Sequence, residues 1–288
     1  MCCLQLLQRA AARVRLRPCL AVAALGLAVT LAQAGETTNS IGMTLVDIPA
    51  GSFVMGSCLQ DKKSAFLGES TCSNPDPEAS TSETPQHRVS IRAFQMGKTE
   101  VTLGQFKRFI KATGNTQLVD DDFIKYNAYG EGAPVVQVSW NDAQAFITWL
   151  NQTDGGGFRL PSEAEWEYAC RAGGYHKYCG SNNVGAVAWY DGNSGGHQRP
   201  VGGKQANAFG LHDMSGNAFE WVQDCWHDSY RGAPGDGSAW ASGCSADGRG
   251  LRGGSWYIIA GSARAADRSL SSPGGRYGSF GFRLARTR

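Results

Sequence analysis

Residues 159–167 read RLPSEAEWE, and they mark the point where an extended segment turns into a helix. Ser162 follows Pro161 and precedes two glutamates, an order typical of a helix N-terminus, where a serine side chain caps a free backbone amide. The apolar and polar residues that follow predict a helix that ends near Cys170, before Gly173-Gly174.

Two further helix starts lie upstream of this stretch. Thr102 and Gln105 form a capping box, in which each side chain bonds the backbone amide of the other residue, and Gly114 is placed to end that helix. Ser139 begins a second helix whose apolar residues recur at helical spacing. The sequence therefore predicts three helices in the middle of the chain.

Strands are predicted on both sides of these helices. From Ile41 to Met55 the apolar residues form two short runs around Pro49-Ala50-Gly51, which predicts a hairpin that opens the domain. Residues 87–91 predict another strand. Beyond Gly180 glycine and tryptophan become frequent and helical periodicity ends, so we expect short strands joined by long ordered loops.

Composition limits the class of protein. The chain has 288 residues, of which 42% are hydrophobic and 18% charged, values that exclude a disordered or collagen-like protein. The net charge of +2 comes from four arginines among the first 34 residues. The rest of the chain carries no run of lysine or arginine that would neutralise phosphates, so no nucleic-acid partner is expected.

The N-terminus has the pattern of an export signal. Residues 1–34 contain arginines, then an apolar run from Cys19 to Leu31, then Ala32-Gln33-Ala34 as a small-residue cleavage site. The alternative is a membrane anchor, but the apolar run is shorter than the roughly 20 residues that cross a bilayer. We therefore expect a signal peptide at 1–34, a mature domain at 35–288 that does not span the membrane, and a periplasmic or secreted location.

Removal of residues 1–34 would leave an even number of cysteines, and exported proteins keep disulfides. These cysteines allow many pairings, but they fall into three local couples. The predicted disulfides are Cys58 with Cys72, Cys170 with Cys179, and Cys225 with Cys244. A zinc site is the alternative, but no CxxC or paired-histidine spacing supports it. Each loop closure is worth about 2–4 kcal/mol.

A series of short motifs runs through the chain in a fixed order. They are Gly42-Met43, Pro49 to Phe53, Glu83-Thr84-Pro85, Lys98 to Thr102, Val138-Ser139-Trp140, residues 159–167, Gly216-Asn217, Glu220-Trp221, Arg252 to Trp256 and Gly281-Phe282-Arg283. The set resembles the formylglycine-generating enzyme (sulfatase-modifying factor) superfamily from about Ile41 to Arg286. The resemblance implies an α+β, single-domain, C-type-lectin-like fold that is low in regular secondary structure, here stapled by disulfides.

The resemblance does not extend to the thiol chemistry of that superfamily. In its thiol-dependent members two cysteines just after the Gly-Gly-Ser block bind copper and oxidise a substrate cysteine. Residues 255–264 of this chain contain no cysteine and place Ile258, Ile259 and Ala260 in that region. Thiolates are the ligands that select Cu(I). We therefore expect no copper and no formylglycine-generating oxidase activity, and we assign no catalytic residue.

The resemblance also implies a structural calcium site. The matching positions are a side-chain oxygen of Asp213, the backbone carbonyls of Gly216 and Ala218, and Glu220. Asp213 stands where relatives usually have asparagine, and Ca²⁺ accepts either oxygen. The alternative is that Glu220 pairs with a buried arginine such as Arg283. The second calcium site of some relatives is not expected here.

The surface that matches the family's substrate cleft is predicted to include Ser255, Trp256, Tyr257, Arg264 and Arg268, with Trp221 and Trp226 nearby. Aromatic rings and guanidinium groups hold anionic or extended ligands by stacking and paired hydrogen bonds. The alternative is that Arg264 and Arg268 are structural ion-pair partners and that Trp256 belongs to the core.

Two functions follow from the resemblance. The first is a calcium-stabilised, non-catalytic module that binds a protein or peptide in the cell envelope, like the periplasmic regulator that promotes activation of the threonine kinase of type VI secretion. The second is a thiol-independent oxidative enzyme that matures a peptide or siderophore precursor. The missing cysteines favour the first, because no other redox ligand set is present in the sequence.

Overall fold

A computed structural model describes residues 35–58, 76–245 and 247–288. Within them short strands and helices alternate with long loops, a mixed α+β organisation as predicted. The strands are β1 Glu36–Thr38, β2 Thr44–Ile48, β3 Gly51–Met55, β4 His87–Ile91, β5 Phe94–Gly97, β6 Phe158–Arg159, β7 Ala188–Trp189, β8 Ser215–Gly216, β9 Phe219–Cys225, β10 Arg249–Arg252, β11 Ser269–Ser271, β12 Phe280–Gly281 and β13 Ala285–Thr287. The helices are α1 Leu103–Thr113, α2 Asp121–Tyr126, α3 Trp140–Thr153, α4 Glu163–Arg171 and α5 Val184–Val187.

Two sheets organise the described residues. The larger has the order β1-β2-β5-β13-β6, so that the strand nearest the C-terminus lies between β5 and β6. The second has the order β11-β10-β9-β12, with β12 parallel to β9 and the other neighbours antiparallel. Two smaller pairs, β3 with β4 and β7 with β8, complete the strand pairing. Long-range pairing brings residues near both ends of the domain together.

The predicted hairpin from Ile41 to Met55 is wrong in its pairing. Both strands exist as β2 and β3, but β2 pairs with β1 and β5, and β3 pairs with β4. Pro49 stands between them and has no amide to donate to a ladder. The two strands enter different sheets because their hydrogen-bonding partners are other strands, and β1 is the first strand of the described residues.

The helix starts agree with the predictions. Thr102, Ser139 and Ser162 are the N-caps of α1, α3 and α4, and each forms a capping box with the residue three positions on. Gly114 ends α1 in the left-handed conformation, with φ of 71°. Local side-chain chemistry therefore set these three helix starts, as capping rules require.

We expect Thr102→Ala to lower the free energy of unfolding by about 1 kcal/mol. The reason is the loss of the hydrogen bond in which the Gln105 amide donates to Thr102 Oγ1 at 3.3 Å. Urea denaturation measures the change. Thr148→Ala, at an exposed position inside α3, is the control and should change the value by less than about 0.5 kcal/mol. Equal losses in the two variants would contradict a capping role.

Two large hydrophobic clusters form most of the core of the described residues, beside a small third cluster of Tyr178, Val187 and Ala263. The first packs α1 and α3 against both sheets through stacked and edge-on phenylalanines, which are Phe106, Phe109, Phe146 and Phe282. The second surrounds Trp166 of α4 and contains Val89, Met96 and Val222 from three strands. Helix α4, which opens with the RLPSEAEWE stretch, is therefore embedded between sheet layers, and eight of its nine residues are buried.

Two of the three predicted disulfides are confirmed. Cys170 is joined to Cys179, and Cys225 is joined to Cys244. The predicted Cys58–Cys72 pair lies outside the described residues because Cys72 does, and so does the predicted signal peptide at 1–34. In the part of the chain that the structure describes, no helix is long and apolar enough to cross a bilayer.

Candidate functional site

Two consecutive glycines form the turn that begins the loop with the predicted ligand-binding residues. Gly253 and Gly254 follow β10 and have φ values of 91° and 73°. A Cβ at Gly254 would lie 2.7 Å from the carbonyl oxygen of Ser262, so no larger residue fits this turn without movement. The turn buries Ser255 and brings the next residues back to the surface.

Trp256 and Tyr257 form the exposed part of this loop. The Trp256 Nε1 group donates to the Gly278 carbonyl at 2.9 Å, and the Trp256 carbonyl accepts from Ser194 Oγ at 2.8 Å. These bonds hold a half-buried indole against which Tyr257 packs edge-on, at 5.5 Å between ring centroids. Tyr257 is 72% exposed. Trp256 is therefore a half-buried residue, held in place by hydrogen bonds, against which the exposed Tyr257 ring packs.

The apolar residues after Tyr257 continue this surface. Ile258 packs partly against the first core cluster, whereas Ile259 is 65% exposed. A 3₁₀ turn, Ala260–Ala263, then returns the chain to the interior. We call Trp256, Tyr257, Ile258 and Ile259 the aromatic loop surface. Exposed apolar side chains grouped in this way are typical of a contact surface for a partner.

Arg264 does not face the aromatic loop surface. Its guanidinium donates to both oxygens of Glu83, at 2.7 and 2.9 Å, and to Asp76 Oδ2 at 2.7 Å. The residue is 2% exposed. Burial raises the pKa of the adjacent Asp267 to about 7, although the positive charge of Arg264 acts in the opposite direction. The structure places Arg264 as an ion-pair partner that holds residues 76–83 against the loop.

Arg268, four residues further along the chain, is also an ion-pair partner. It donates to both oxygens of Glu163, at 2.6 and 2.9 Å, and its guanidinium lies over the rings of Trp226 and Tyr230. Burial opposes ionisation of Glu163, but the charges of Arg268 and Arg252 outweigh it and lower the pKa of Glu163. The structural alternative left open by the sequence describes both Arg264 and Arg268.

The two other tryptophans expected near the cleft are core residues. Trp221 is fully buried, and its Nε1 group donates to the Val138 carbonyl at 3.0 Å. Trp226 is 8% exposed and donates to Asp228. The sequence pattern did not distinguish these buried tryptophans from exposed ones, because local spacing does not show whether a tryptophan lies in a surface loop or in a buried strand.

The predicted calcium positions lie along one stretch of chain that runs through β8 into β9. Gly216 ends β8, Ala218 precedes β9 and Glu220 lies inside β9. Asp213 and Asn217 have positive φ values of 56° and 62°, so the backbone changes direction on either side of β8. Such left-handed residues other than glycine often mark functional segments.

Glu220 is fully committed to an ion pair. Its two oxygens accept from the Arg283 guanidinium, each at 2.7 Å, and Oε2 also accepts from Trp166 Nε1 at 2.7 Å. The Arg283 pairing proposed as the alternative is therefore present. Asp213 differs from Glu220, because its Oδ2 accepts from the Gly202 amide at 2.6 Å while its buried Oδ1 has no partner in the described part of the chain.

Glu100 also belongs to this region, although the sequence did not predict it as a site residue. It lies in the Lys98–Thr102 motif, is 1% exposed, and neither carboxylate oxygen has a hydrogen-bond partner among the described residues. Burial and the nearby charge of Asp213 raise the pKa of Glu100 well above its usual value. The one sequence signal for Glu100 was its position inside the Lys98–Thr102 motif. Across the described residues no group of three or more His, Cys, Asp or Glu side chains is placed to hold a metal ion.

Comparison with known proteins identifies relatives over almost the whole domain. Residues 31–288 match the family model described as a sulfatase-modifying factor enzyme 1-like domain. The formylglycine-generating enzyme of Streptomyces coelicolor is 30% identical over 306 aligned positions, which cover 83% of this chain and 88% of that protein. The structure of PvdO from Pseudomonas aeruginosa has a TM-score of 0.76 and 32% identity, covering 89% of this chain and 99% of PvdO.

Another relative is larger than this chain. The serine/threonine-protein kinase pkn1 of Chlamydia caviae is 28% identical over 234 residues, which cover 73% of this chain. The matched region is 35% of the kinase. Similarity to this domain therefore occurs inside a protein named as a kinase as well as in proteins of about the same length as this chain.

Proposed function

The chain belongs to the family of sulfatase-modifying factor enzyme 1-like domains, and from this membership we propose that it is an exported, non-catalytic module that binds a protein or peptide in the cell envelope through its aromatic loop surface. The observation that carries the proposal is the composition of that surface. Tyr257 and Ile259 are 72% and 65% exposed, and no cysteine lies between Gly253 and Arg264. The surface offers contacts for a partner but no thiolate for copper.

A membrane-bound kinase is the partner that we propose, such as the threonine kinase that a regulator of this family activates in type VI secretion. The match to the chlamydial protein named as a serine/threonine kinase supports it, because the matched domain there shares one chain with the rest of that kinase. The predicted signal peptide and the two disulfides support export, since disulfides persist outside the cytoplasm.

Calcium is the structural cofactor that we propose for this module. The residues present fit the ion, because Asp213 Oδ1 is buried with no hydrogen-bond partner among the described residues, and a hard cation prefers such an oxygen. Asp213 and the carbonyls of Gly216 and Ala218 would hold it, together with Glu220 as the fourth position that the resemblance implies, although both Glu220 oxygens already accept from Arg283. When bound, calcium supplies positive charge and ties the Asp213–Glu220 segment together.

The binding role is tested by Tyr257→Ala and Ile259→Ser. The probe is the purified extracytoplasmic domain of a receptor-type serine/threonine kinase from the same organism, and affinity is measured by biolayer interferometry. We expect each variant to weaken binding at least tenfold, because exposed aromatic and aliphatic anchors dominate such contacts. Tyr175→Ala is the matched control, since Tyr175 is 67% exposed but lies outside this loop, and its affinity should not change.

The absence of thiol chemistry is tested on the same purified protein. With copper, dioxygen and a cysteine-bearing peptide we expect no consumption of dioxygen and no aldehyde product. Turnover of the peptide would contradict the non-catalytic proposal. Turnover of a non-thiol peptide or siderophore precursor would also contradict it and would support the oxidative alternative.

A further inference from the structure

Four buried charged groups form a cluster around Arg283. They are Glu100, Asp213, Glu220 and Arg283, which are 1%, 2%, 0% and 0% exposed. The charges of Asp213, Glu220 and Arg283 all act on Glu100, and His212 also acts on Asp213. With three carboxylates and one guanidinium, the ionised cluster carries two negative charges in excess. Buried charge of this kind is costly unless another group neutralises it.

The excess is located on Glu100 and Asp213. Arg283 is paired with Glu220, and its remaining donors reach the Gly97 carbonyl at 3.0 Å and the His212 carbonyl at 2.8 Å. Both oxygens of Glu100 and one oxygen of Asp213 are left buried with no partner in the described ranges. Native proteins satisfy nearly all buried polar atoms, so three unpaired carboxylate oxygens in one place indicate a ligand.

The chemistry of these oxygens selects the ligand. Carboxylate oxygens without a donor require a positive charge or a hydrogen-bond donor, and a divalent cation provides the two charges that the cluster lacks. Within this cluster Glu100 lacks a partner for both oxygens and Asp213 for Oδ1 alone, as far as the described residues show, so a cation here also needs carbonyl oxygens. The backbone carbonyls of Gly216 and Ala218, which the resemblance implies as ligands, would supply them.

We propose that Glu100 is a ligand of the divalent cation, so that the ion is held by Glu100 and Asp213 together with backbone carbonyls, while Glu220 stays bound to Arg283. This inference rests on the calcium component of the proposed function and changes its ligand set. Glu220 then positions Arg283 and Trp166 beside the site instead of donating its carboxylate to the ion.

Glu100→Gln tests the inference by metal binding alone. The full mature chain is stripped with EDTA and titrated with Ca²⁺ by calorimetry, and with Tb³⁺ by luminescence, which the Trp166 indole bonded to Glu220 is placed to sensitise. We expect the wild-type chain to bind one calcium ion and Glu100→Gln to bind it at least tenfold more weakly. Glu131→Gln is the matched control, because Glu131 is exposed and pairs with Lys107, and its affinity should stay unchanged.

Stability in EDTA gives a second readout with the opposite sign. Without metal, burial raises the pKa of Glu100, so Glu100→Gln removes a carboxyl whose charged form the interior disfavours, and its urea midpoint should equal or exceed that of the wild-type chain. Calcium should raise the midpoint of the wild-type chain only. Wild-type calcium affinity in Glu100→Gln would overturn the inference and leave the Asp213 and Glu220 site standing. Absence of calcium and terbium binding in the wild-type chain would overturn both, and the kinase-binding test remains independent of that result.

Discussion

Replacement of Arg283 by methionine is expected to lower the free energy of unfolding by about 3–5 kcal/mol, the loss typical when one partner of a buried ion pair is removed. Arg283 is fully buried and donates to both oxygens of Glu220 and to two backbone carbonyls. Of the side-chain donors in the described ranges, Arg283→Met leaves only the Trp166 indole bonded to Glu220. The measurement is urea denaturation of the mature chain in EDTA, so that calcium does not contribute.

Arg276→Met is the matched control for this prediction. Arg276 makes the same two-point pair with Asp142, at 2.7 and 2.8 Å, but its side chain is 31% exposed. Asp142 also keeps the Ser139 amide and hydroxyl as partners. We expect this variant to lose less than about 1 kcal/mol. Similar losses in the two variants would show that burial does not decide the contribution of Arg283.

Removal of the Cys170–Cys179 disulfide is the second large effect that we expect. Cys170→Ala with Cys179→Ala should lower the free energy of unfolding by about 3 kcal/mol through loss of the cross-link, and further through the cavity left behind. Both cysteines are buried, at 0% and 3% exposure, and the bond ties α4 to the segment whose Cys179 amide donates to Ser215 Oγ. Urea denaturation under non-reducing conditions measures the change.

Comparison with the Cys225–Cys244 disulfide distinguishes the contribution of the cross-link from that of the cavity. It spans 19 residues against 9, so loop entropy alone assigns it the larger effect. Cys244 is exposed, however, so its removal leaves little cavity. We expect Cys225→Ala with Cys244→Ala to cost less than the variant at Cys170 and Cys179. The reverse order would contradict a packing contribution of the buried sulfur atoms.

Local patterns determined the parts of the fold that depend on neighbouring residues. The helix starts at Thr102, Ser139 and Ser162 were predicted correctly because a capping side chain and its amide are three residues apart in the chain. The two local disulfides were predicted for the same reason. The hairpin around Pro49 was predicted wrongly, because the partners of β2 and β3 are other strands that no local pattern identifies.

Local sequence patterns predicted only part of the candidate site. The motif around Gly253-Gly254 located the loop correctly, and the resemblance named Trp256 and Tyr257. Whether Arg264 faces solvent or Glu83 depends on residues about 180 positions away. A sequence pattern does not show which of two arginines near a cleft is already paired.

The sequence by itself determined the family, the helix starts, the local disulfides and the absence of cysteine from residues 253–264, since these depend on residue identity and short spacing. Only the tertiary structure decided which charges are buried and which are satisfied. It paired Glu220 with Arg283 and turned Arg264 and Arg268 inward, and it left Glu100 and Asp213 with oxygens that have no partner in the part of the chain it describes. The physical reason is that burial and charge pairing are set by long-range packing, which brings together residues far apart in the chain.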